Sequence, residues 1–167
     1  MAKRTITISG ISKTYSVTGW RIGYCIAPEE ISKAIRKVHD FLTVGAPAPL
    51  QEAAAVAVRF PRAYYDQLIR GYTRRRDLCL RALADAGFTF NPVEGAYYVM
   101  CDFTAFGYSH DVEFAHYLVK EIGVASVPGS SFYMPPELGR HQVRFCFPKK
   151  DETLIAAGER LTQLRRK

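Results

Sequence analysis

Short runs in which apolar side chains alternate with polar ones predict several strands along the chain. The first run covers residues 4–9 and the second covers residues 21–27, and a polar loop punctuated by glycine separates them. Further runs lie at residues 88–90, 96–103, 124–127 and 143–147. The pattern therefore predicts two strands near the start of the chain and a second group of strands in its later half.

Apolar residues at helical spacing fill most of the sequence between these two groups. Pro28 suits the first turn of a helix, and the apolar positions after it recur every three or four residues. The Ala-Pro-Ala-Pro sequence at residues 46–49 ends this helix. A longer helical stretch follows over residues 50–86, with an interruption at Pro61, and Gly87 closes it.

The later half of the chain alternates strands with two further predicted helices, at residues 111–122 and 152–165. Asp151 precedes the second of these and is predicted to be its N-cap. Strands and helices that alternate in this way indicate an α/β fold. We divide the chain into a sheet-containing segment, a helical segment and a small α/β domain, at residues 1–45, 46–86 and 87–167.

The composition is typical of a globular chain with one well-buried core: 167 residues, 48% hydrophobic and 23% charged. The net charge of +7 raises the question of an anionic partner. The densest basic run, residues 74–76, has helical spacing and is interpreted as a solvated helix face, and residues 165–167 as a basic helix end. Neither run is interleaved with aromatic residues, so nucleic-acid binding is only a minority alternative.

No apolar stretch is long enough to cross a membrane, and no signal-peptide core follows the first residues. Three of the four cysteines lie in apolar, strand-like runs, and no two have CxxC spacing. This pattern predicts buried, reduced thiols in a cytoplasmic protein rather than disulfides or zinc ligands. The cysteines are Cys25, Cys79, Cys101 and Cys146. The histidines show no metal-ligand spacing, and we expect no metal.

The loop between the first two predicted strands carries the most informative chemistry. Lys13 lies just after the first strand, and Arg21 lies eight residues later, at the start of the second. If the strands pair, both side chains stand at one end of the sheet. A guanidinium disfavours the ammonium form of a neighbouring lysine and can bind a phosphate. A lysine amine beside a phosphate-binding arginine is what imine chemistry on a phosphorylated aldehyde requires. Taken alone, however, a lysine and an arginine in a loop are usually surface charges.

The order of residues in this loop resembles a known family signature. Ser12-Lys13, followed by Thr-Gly-Trp-Arg-Ile-Gly-Tyr at residues 18–24, is similar to the lysine signature of class I aminotransferases of fold type I. Four more segments resemble the same family in the right order, at residues 46–51, 92–98, 123–132 and 141–147. The resemblance implies two strands of the large cofactor domain, a long interdomain helix and a small C-terminal α/β domain.

The resemblance also implies roles for four residues. Lys13 would bind pyridoxal 5′-phosphate covalently and move the proton during catalysis, and Ser12 and Arg21 would help to hold the cofactor, with Arg21 at its phosphate. Arg144 would bind the substrate α-carboxylate as a bidentate fork. It is the only charged residue of the apolar run at residues 143–147, which favours an anion site over a solvent-facing arginine on an edge strand. The substrates would be an amino acid and a 2-oxo acid, and residues 43–51 favour the aspartate, kynurenine or aromatic group of the family.

Family members also have a long N-terminal portion, which supplies the aspartate that pairs with the pyridine nitrogen. Because strand alternation begins so close to Met1, we expect part of the sheet to be missing here, with an unpaired edge and an exposed apolar face. Such a chain would form a homo-oligomer or need a separately encoded N-terminal half. Two alternatives stay open: a non-catalytic half that acts only as a binding or assembly module, and, on charge alone, a small nucleic-acid-binding domain.

Overall fold

The two strands predicted near the start of the chain form an antiparallel hairpin. Strand β1 (Thr7–Gly10) pairs with β2 (Gly23–Ile26), in a register that sets Thr7 opposite Ile26. Both strands are shorter than predicted: Ala2–Arg4 form a 3₁₀ turn before β1, and Thr18–Trp20 form another before β2. All eight strand residues are exposed, and the sheet contains only these two strands among residues 2–164, which are the residues that the structure, a computed structural model, describes.

Helix α1 (Glu29–Thr43) follows the hairpin and has the apolar stripe that its spacing predicts. None of its residues is buried, and the side chain of Phe41 is 93% exposed. The strand residue Ile8 is 80% exposed. Isolated chains rarely expose apolar side chains of this size together. The expected exposed apolar face is therefore present, on both the hairpin and α1.

The predicted helical stretch over residues 50–86 is confirmed as two helices. Helix α2 (Ala48–Ala57) and helix α3 (Arg62–Ala86) flank the predicted interruption at Pro61. Gly87 ends α3 with a left-handed φ of 102°, and its N–H donates to the carbonyls of Leu83 and Ala84. This closing glycine was correctly placed by the sequence pattern.

The chain divides into two compact units, Met1–Leu68 and Ile69–Lys167. The division falls inside α3, which begins in the first unit and continues into the second. The three-segment division at residues 45 and 86 stays a prediction. Met1 and residues 165–167, which include the predicted basic helix end, lie outside the described residues.

The second unit contains a four-stranded antiparallel sheet in the order β3-β4-β6-β5. Its strands are β3 (Thr89–Phe90), β4 (Tyr98–Asp102), β5 (Val127–Pro128) and β6 (Gln142–Cys146). Its helices are α4 (Asp111–Tyr117), which continues as a π turn over Leu118–Ile122, and α5 (Asp151–Leu161). The strand predicted at residues 124–127 is thus reduced to two residues, Val127–Pro128, of which only Val127 was predicted.

The core of the second unit lies on one face of this sheet. Alternate residues of β4 and β6 are buried there and pack with the phenylalanines of the flanking segments: Val99, Cys101, Val143, Phe145, Phe88, Phe103, Phe106 and Phe114. The opposite face carries Tyr98, Met100 and Arg144, which are half-buried. The period of two along a strand therefore sends Arg144 away from the core.

Two sequence predictions about cysteine burial are wrong. Cys79 and Cys101 are buried as expected, but Cys25 and Cys146 are exposed. Cys146 lies two residues after Arg144 in β6 and so shares its outward face, and Cys25 belongs to the uncovered hairpin. An apolar run alone does not say which of its faces is covered.

Two predictions for charged residues also need correction. Lys150, not Asp151, occupies the N-cap position of α5, and Asp151 instead pairs with Arg74, with Nη2 and Oδ2 3.0 Å apart. In the basic run on α3, Arg75 and Arg76 are half-buried rather than fully solvated, and Arg76 donates to the carbonyl of Val93. None of the helices in the described part of the chain has the length and apolar character that a membrane span requires.

Candidate active site

The loop that carries Lys13 and Arg21 is closed at its base by the hairpin. The N–H of Ile11 donates to the carbonyl of Ile22 at 3.3 Å, which extends the pairing of β1 and β2 by one step. Both isoleucines are buried and anchor the loop. Because the strands pair, Lys13 and Arg21 stand at the same end of the hairpin, as the sequence predicted on that condition.

Backbone hydrogen bonds inside the loop define its shape around Ser12 and Lys13. The carbonyl of Ser12 accepts from the N–H of Val17 at 3.0 Å and from the hydroxyl of Thr18 at 3.3 Å. The N–H of Tyr15 donates to the carbonyl of Ile11 at 3.2 Å. The loop is thus a folded turn, with the side chain of Lys13 on its exposed surface.

Arg21 has an uncommon backbone conformation. Its φ of 55° and ψ of 39° place it in the left-handed region, where residues other than glycine are rare. Its Nη1 donates to the carbonyl of Thr18 at 3.1 Å, which ties the guanidinium to the same loop. Arg21 therefore lies just outside β2, not in it as predicted. Backbone strain of this kind is concentrated at ligand-binding and catalytic sites.

Two tyrosines from the start of α3 hold the loop from outside. The hydroxyl of Tyr64 donates to the carbonyl of Thr14 at 2.6 Å, and the hydroxyl oxygens of Tyr15 and Tyr65 lie 2.7 Å apart. The hydrogen bond with Tyr65 and, to a smaller extent, burial raise the pKa of Tyr15 to about 12. Sequence reasoning missed Tyr64 and Tyr65. The only local signal was a pair of aromatic residues in the first turns of a helix that begins at residue 62.

Arg144 lies in the middle of β6, which is an inner strand between β4 and β5. Its guanidinium carbon stands 4.1 Å from the ring centre of Phe132 and 4.9 Å from that of Tyr98. Among the described residues Arg144 forms no salt bridge. Aromatic faces orient the guanidinium without occupying its N–H groups, so the donors stay available to a carboxylate. This arrangement differs from that of a solvent-facing arginine on an edge strand.

The turn that positions Phe132 is built around a buried carboxylate. Asp111, in the first turn of α4, is fully buried, and its Oδ2 accepts from the N–H of Ser130 at 2.7 Å. Burial alone would raise the pKa of Asp111, but hydrogen bonds from the side chain and backbone of Ser130 outweigh it and lower that pKa. Nδ1 of His110 lies 3.2 Å from Oδ1 of Asp111. Sequence reasoning missed Asp111.

Two glycines make the same turn possible. A Cβ on Gly129 would stand 2.3 Å from the carbonyl oxygen of Gly139, and a Cβ on Gly139 would stand 2.4 Å from the carbonyl carbon of Gly129. The two backbones therefore touch directly. The Pro-Gly-Ser-Ser turn is therefore a tightly packed support for the aromatic ring over Arg144.

The structure thus brings Ser12, Lys13 and Arg21 together in one loop of the first unit. Arg144 belongs to the second unit, with its own aromatic and backbone supports. Each group is thus held in place by contacts within its own unit.

Comparisons with known proteins identify the family to which the chain belongs. The family model described as "Aminotransferase class I and II" matches residues 1–161. A methionine aminotransferase of Escherichia coli is 41% identical over 164 residues, which are 98% of this chain and 42% of that protein. A kynurenine–oxoglutarate transaminase of Dictyostelium discoideum is 35% identical over 186 residues, which are 99% of this chain and 43% of that protein.

Solved structures agree with the sequence comparisons. The structure of an N-succinyldiaminopimelate aminotransferase from Mycobacterium tuberculosis superposes with a TM-score of 0.91 at 36% identity, over 99% of this chain and 43% of that one. The E. coli methionine aminotransferase gives a TM-score of 0.89 over 98% of this chain and 43% of that chain. The chain spans less than half the length of the relatives that it matches.

Proposed function

Because the chain belongs to the family of class I and II aminotransferases and has their α/β, fold-type-I architecture, we propose that it is the lysine-bearing part of an aminotransferase dependent on pyridoxal 5′-phosphate. The proposed reaction exchanges an amino group between an amino acid and a 2-oxo acid. The single observation that carries the proposal is the loop of residues 11–22, in which the family-like residues Ser12, Lys13 and Arg21 stand in one hydrogen-bonded turn at the end of the hairpin.

The donor set of this loop fits the chemistry of the cofactor. Pyridoxal 5′-phosphate combines an aldehyde with a dianionic phosphate, and the bound cofactor supplies an electron-accepting ring conjugated to the carbon that loses its proton. The amine of Lys13 is the nucleophile that an aldehyde requires. The guanidinium of Arg21 and the hydroxyl of Ser12 are phosphate donors.

Each proposed residue has one task in the reaction. Lys13 holds the cofactor at rest and, once released, moves a proton at the substrate α-carbon as a general base and acid. Arg21 keeps the phosphate at the loop. Arg144 binds the substrate α-carboxylate with its two parallel N–H groups, which a lysine cannot reproduce. Since some relatives are named for methionine and kynurenine, these are the first amino donors to test.

Completion by further polypeptide is part of the proposal. The exposed apolar side chains of the hairpin and of α1, with Ile8 80% and Phe41 93% exposed, need a covering surface. We propose that a homo-oligomer or a separately encoded N-terminal half supplies this surface, and that the N-terminal half supplies the carboxylate for the pyridine nitrogen. A reducing, cytoplasmic compartment agrees with the four free thiols.

The same exposed surface favours a second candidate function. The chain would then be a binding or assembly half that contributes to an enzyme without reacting alone. Co-expression with the N-terminal part of a relative separates the two: transaminase activity of the assembly that Lys13→Ala abolishes supports the catalytic role, and activity that survives Lys13→Ala supports a non-catalytic assembly half.

The first test is a titration of the full chain with pyridoxal 5′-phosphate, followed by borohydride reduction and peptide mapping. Three proteins are compared: wild type, Lys13→Ala and the control Lys33→Ala, which removes an exposed lysine of α1 that pairs with Glu29. Saturable labelling at Lys13 that is lost only in Lys13→Ala is the expected result. Labelling spread over many lysines, equal in all three proteins, would refute the proposed role of Lys13.

A further inference from the structure

The backbone on the C-terminal side of Lys13 is held by two tyrosine hydroxyls from α3. Tyr64 donates to the carbonyl of Thr14, the residue that follows Lys13, at 2.6 Å. One residue further on, the hydroxyl of Tyr15 meets that of Tyr65 at 2.7 Å. The loop is thus fixed at two successive residues by a helix that begins about fifty residues later in the chain.

Ring packing fixes the positions of these hydroxyls. The rings of Tyr15 and Tyr64 stack with centres 5.8 Å apart and an angle of 15° between their planes. Phe60 meets Tyr64 edge to face at 4.9 Å, and Tyr64 meets Tyr65 edge to face at 5.4 Å. Offset-stacked and edge-to-face pairs are the preferred aromatic geometries. Because the rings are locked by one another, the hydroxyls are presented to the loop in one arrangement.

The three tyrosines and Phe60 lie in the first unit, as does the loop itself. Removing a hydroxyl while keeping its ring would leave this packing in place and release the Thr14 carbonyl or the Tyr15 hydroxyl. The loop would then have more conformations, and the amine of Lys13 would spend less time in the reactive one. This loss of loop order should lower the reactivity of Lys13 more than it lowers the stability of the fold.

We propose that Tyr64 and Tyr65 are positioning residues for Lys13, which fix the loop so that the lysine amine and Arg21 engage the same cofactor molecule. This inference rests on the proposed function of Lys13. It adds to that function two residues from another element of the fold, which touch the loop and not the reacting groups.

The test uses Tyr64→Phe, Tyr65→Phe and the double variant of the full chain, with Tyr72→Phe as the control. Tyr72 lies on the same helix but in the second unit, where it packs against the hydrophobic core. Borohydride trapping over a range of pyridoxal 5′-phosphate concentrations gives the half-saturation at Lys13 and the ratio of labelling at Lys13 to that at Lys33. Each removed hydroxyl is expected to raise the half-saturation and lower this ratio about threefold to tenfold, the equilibrium change that corresponds to one hydrogen bond. Tyr72→Phe should change neither quantity.

A second measurement reports on the loop without the cofactor. Trp20 is the only tryptophan of the sequence and lies in the Thr18–Trp20 turn of this loop. Quenching of its fluorescence by acrylamide should increase in Tyr64→Phe and in the double variant, with the urea midpoint showing that the protein is still folded. Tyr72→Phe should again match wild type.

The outcomes separate the two proposals. Unselective labelling of the wild-type chain counts against the function proposed for Lys13, and the Trp20 measurement then decides whether the tyrosines hold the loop. Selective wild-type labelling that is unchanged in the double variant, with unchanged quenching of Trp20, overturns the positioning role alone. Equal effects in Tyr72→Phe and in the loop variants would overturn it as well.

Discussion

Replacing Asp111 by asparagine tests whether a buried charge supports the turn over Arg144. The carboxylate is fully buried, and its Oδ2 accepts the N–H of Ser130 at 2.7 Å. A hydrogen bond to a charged group contributes about 1.5–3 kcal/mol and a neutral one about 0.5–1.5 kcal/mol. The asparagine oxygen can still accept the N–H, so the substitution removes the charge but not the acceptor. We therefore expect Asp111→Asn to lower the free energy of unfolding by about 1–1.5 kcal/mol.

Asp111→Ala should lower the free energy of unfolding further, by about 2–4 kcal/mol, because it leaves the N–H of half-buried Ser130 without this acceptor. Urea unfolding of the full chain, followed by aromatic circular dichroism, measures both losses, since the core of the second unit is rich in phenylalanine. Glu113→Gln is the matched control, because Glu113 is an exposed residue in the same first turn of α4. It reports the helix-dipole contribution alone, about 0.3–1 kcal/mol.

The pH dependence of unfolding tests whether the charge of Asp111 stabilises the fold. Because the pKa of Asp111 is lowered in the folded state, its stabilising contribution is present above the unfolded pKa of an aspartate, about 3.9. The contribution is lost as pH falls through the lower folded pKa. The difference between wild type and Asp111→Asn should therefore be largest near neutral pH and shrink below about pH 4. A difference that persists undiminished at pH 3, or an equal loss in Glu113→Gln, would refute the role of the charge.

Three further predictions concern single groups. Spectrophotometric titration should find that Tyr15 ionises near pH 12, and Tyr65→Phe should bring that ionisation towards pH 10. The stabilisation by this hydrogen bond is present below pH 10 and is lost as pH rises towards 12. In the chain assembled with an N-terminal half, Arg144→Lys should raise KM for the 2-oxo acid about tenfold or more and change the urea midpoint little. An unchanged KM would contradict the proposal that Arg144 binds the substrate carboxylate. A thiol reagent should modify two of the four cysteines rapidly in the folded chain, since burial raises the pKa of Cys79 to about 11 and raises that of Cys101; rapid modification of all four before unfolding would contradict this.

The helices and the hairpin could be predicted because their signals are local. Gly87 and Pro61 act on the backbone of their own segment, and the apolar spacing of α1 needs no partner to be recognised. What the spacing could not indicate is whether a partner covers the apolar face, and on α1 none does among the described residues. The exposed thiols were missed for the same reason, because a strand residue is buried only if something packs on its side of the sheet.

In the candidate site, too, the residues with local signals were predicted and those with only tertiary contacts were missed. Lys13 and Arg21 could be predicted to lie close together because they flank one loop whose ends are paired. The residues that resemble the family signature are also close together in the sequence. Tyr64 and Asp111 could not be found, since each meets its partner across a long stretch of chain: Tyr64 lies 50 residues from Thr14, and Asp111 lies 19 from Ser130. Such pairings are set by tertiary packing, which no short motif encodes.

The contact between Gly129 and Gly139 restricts how the sequence of this turn can change over evolutionary time. In an ordinary core, a larger residue at one position can be rescued by a smaller one opposite. Here each residue already has no side chain, and each obstructs the other through its backbone. No second substitution at the partner position can therefore compensate for the first. A substitution at either glycine disrupts the turn, whichever residue stands at the other position. Evolution can therefore replace this turn as a whole, but it cannot change the two glycines in successive single steps.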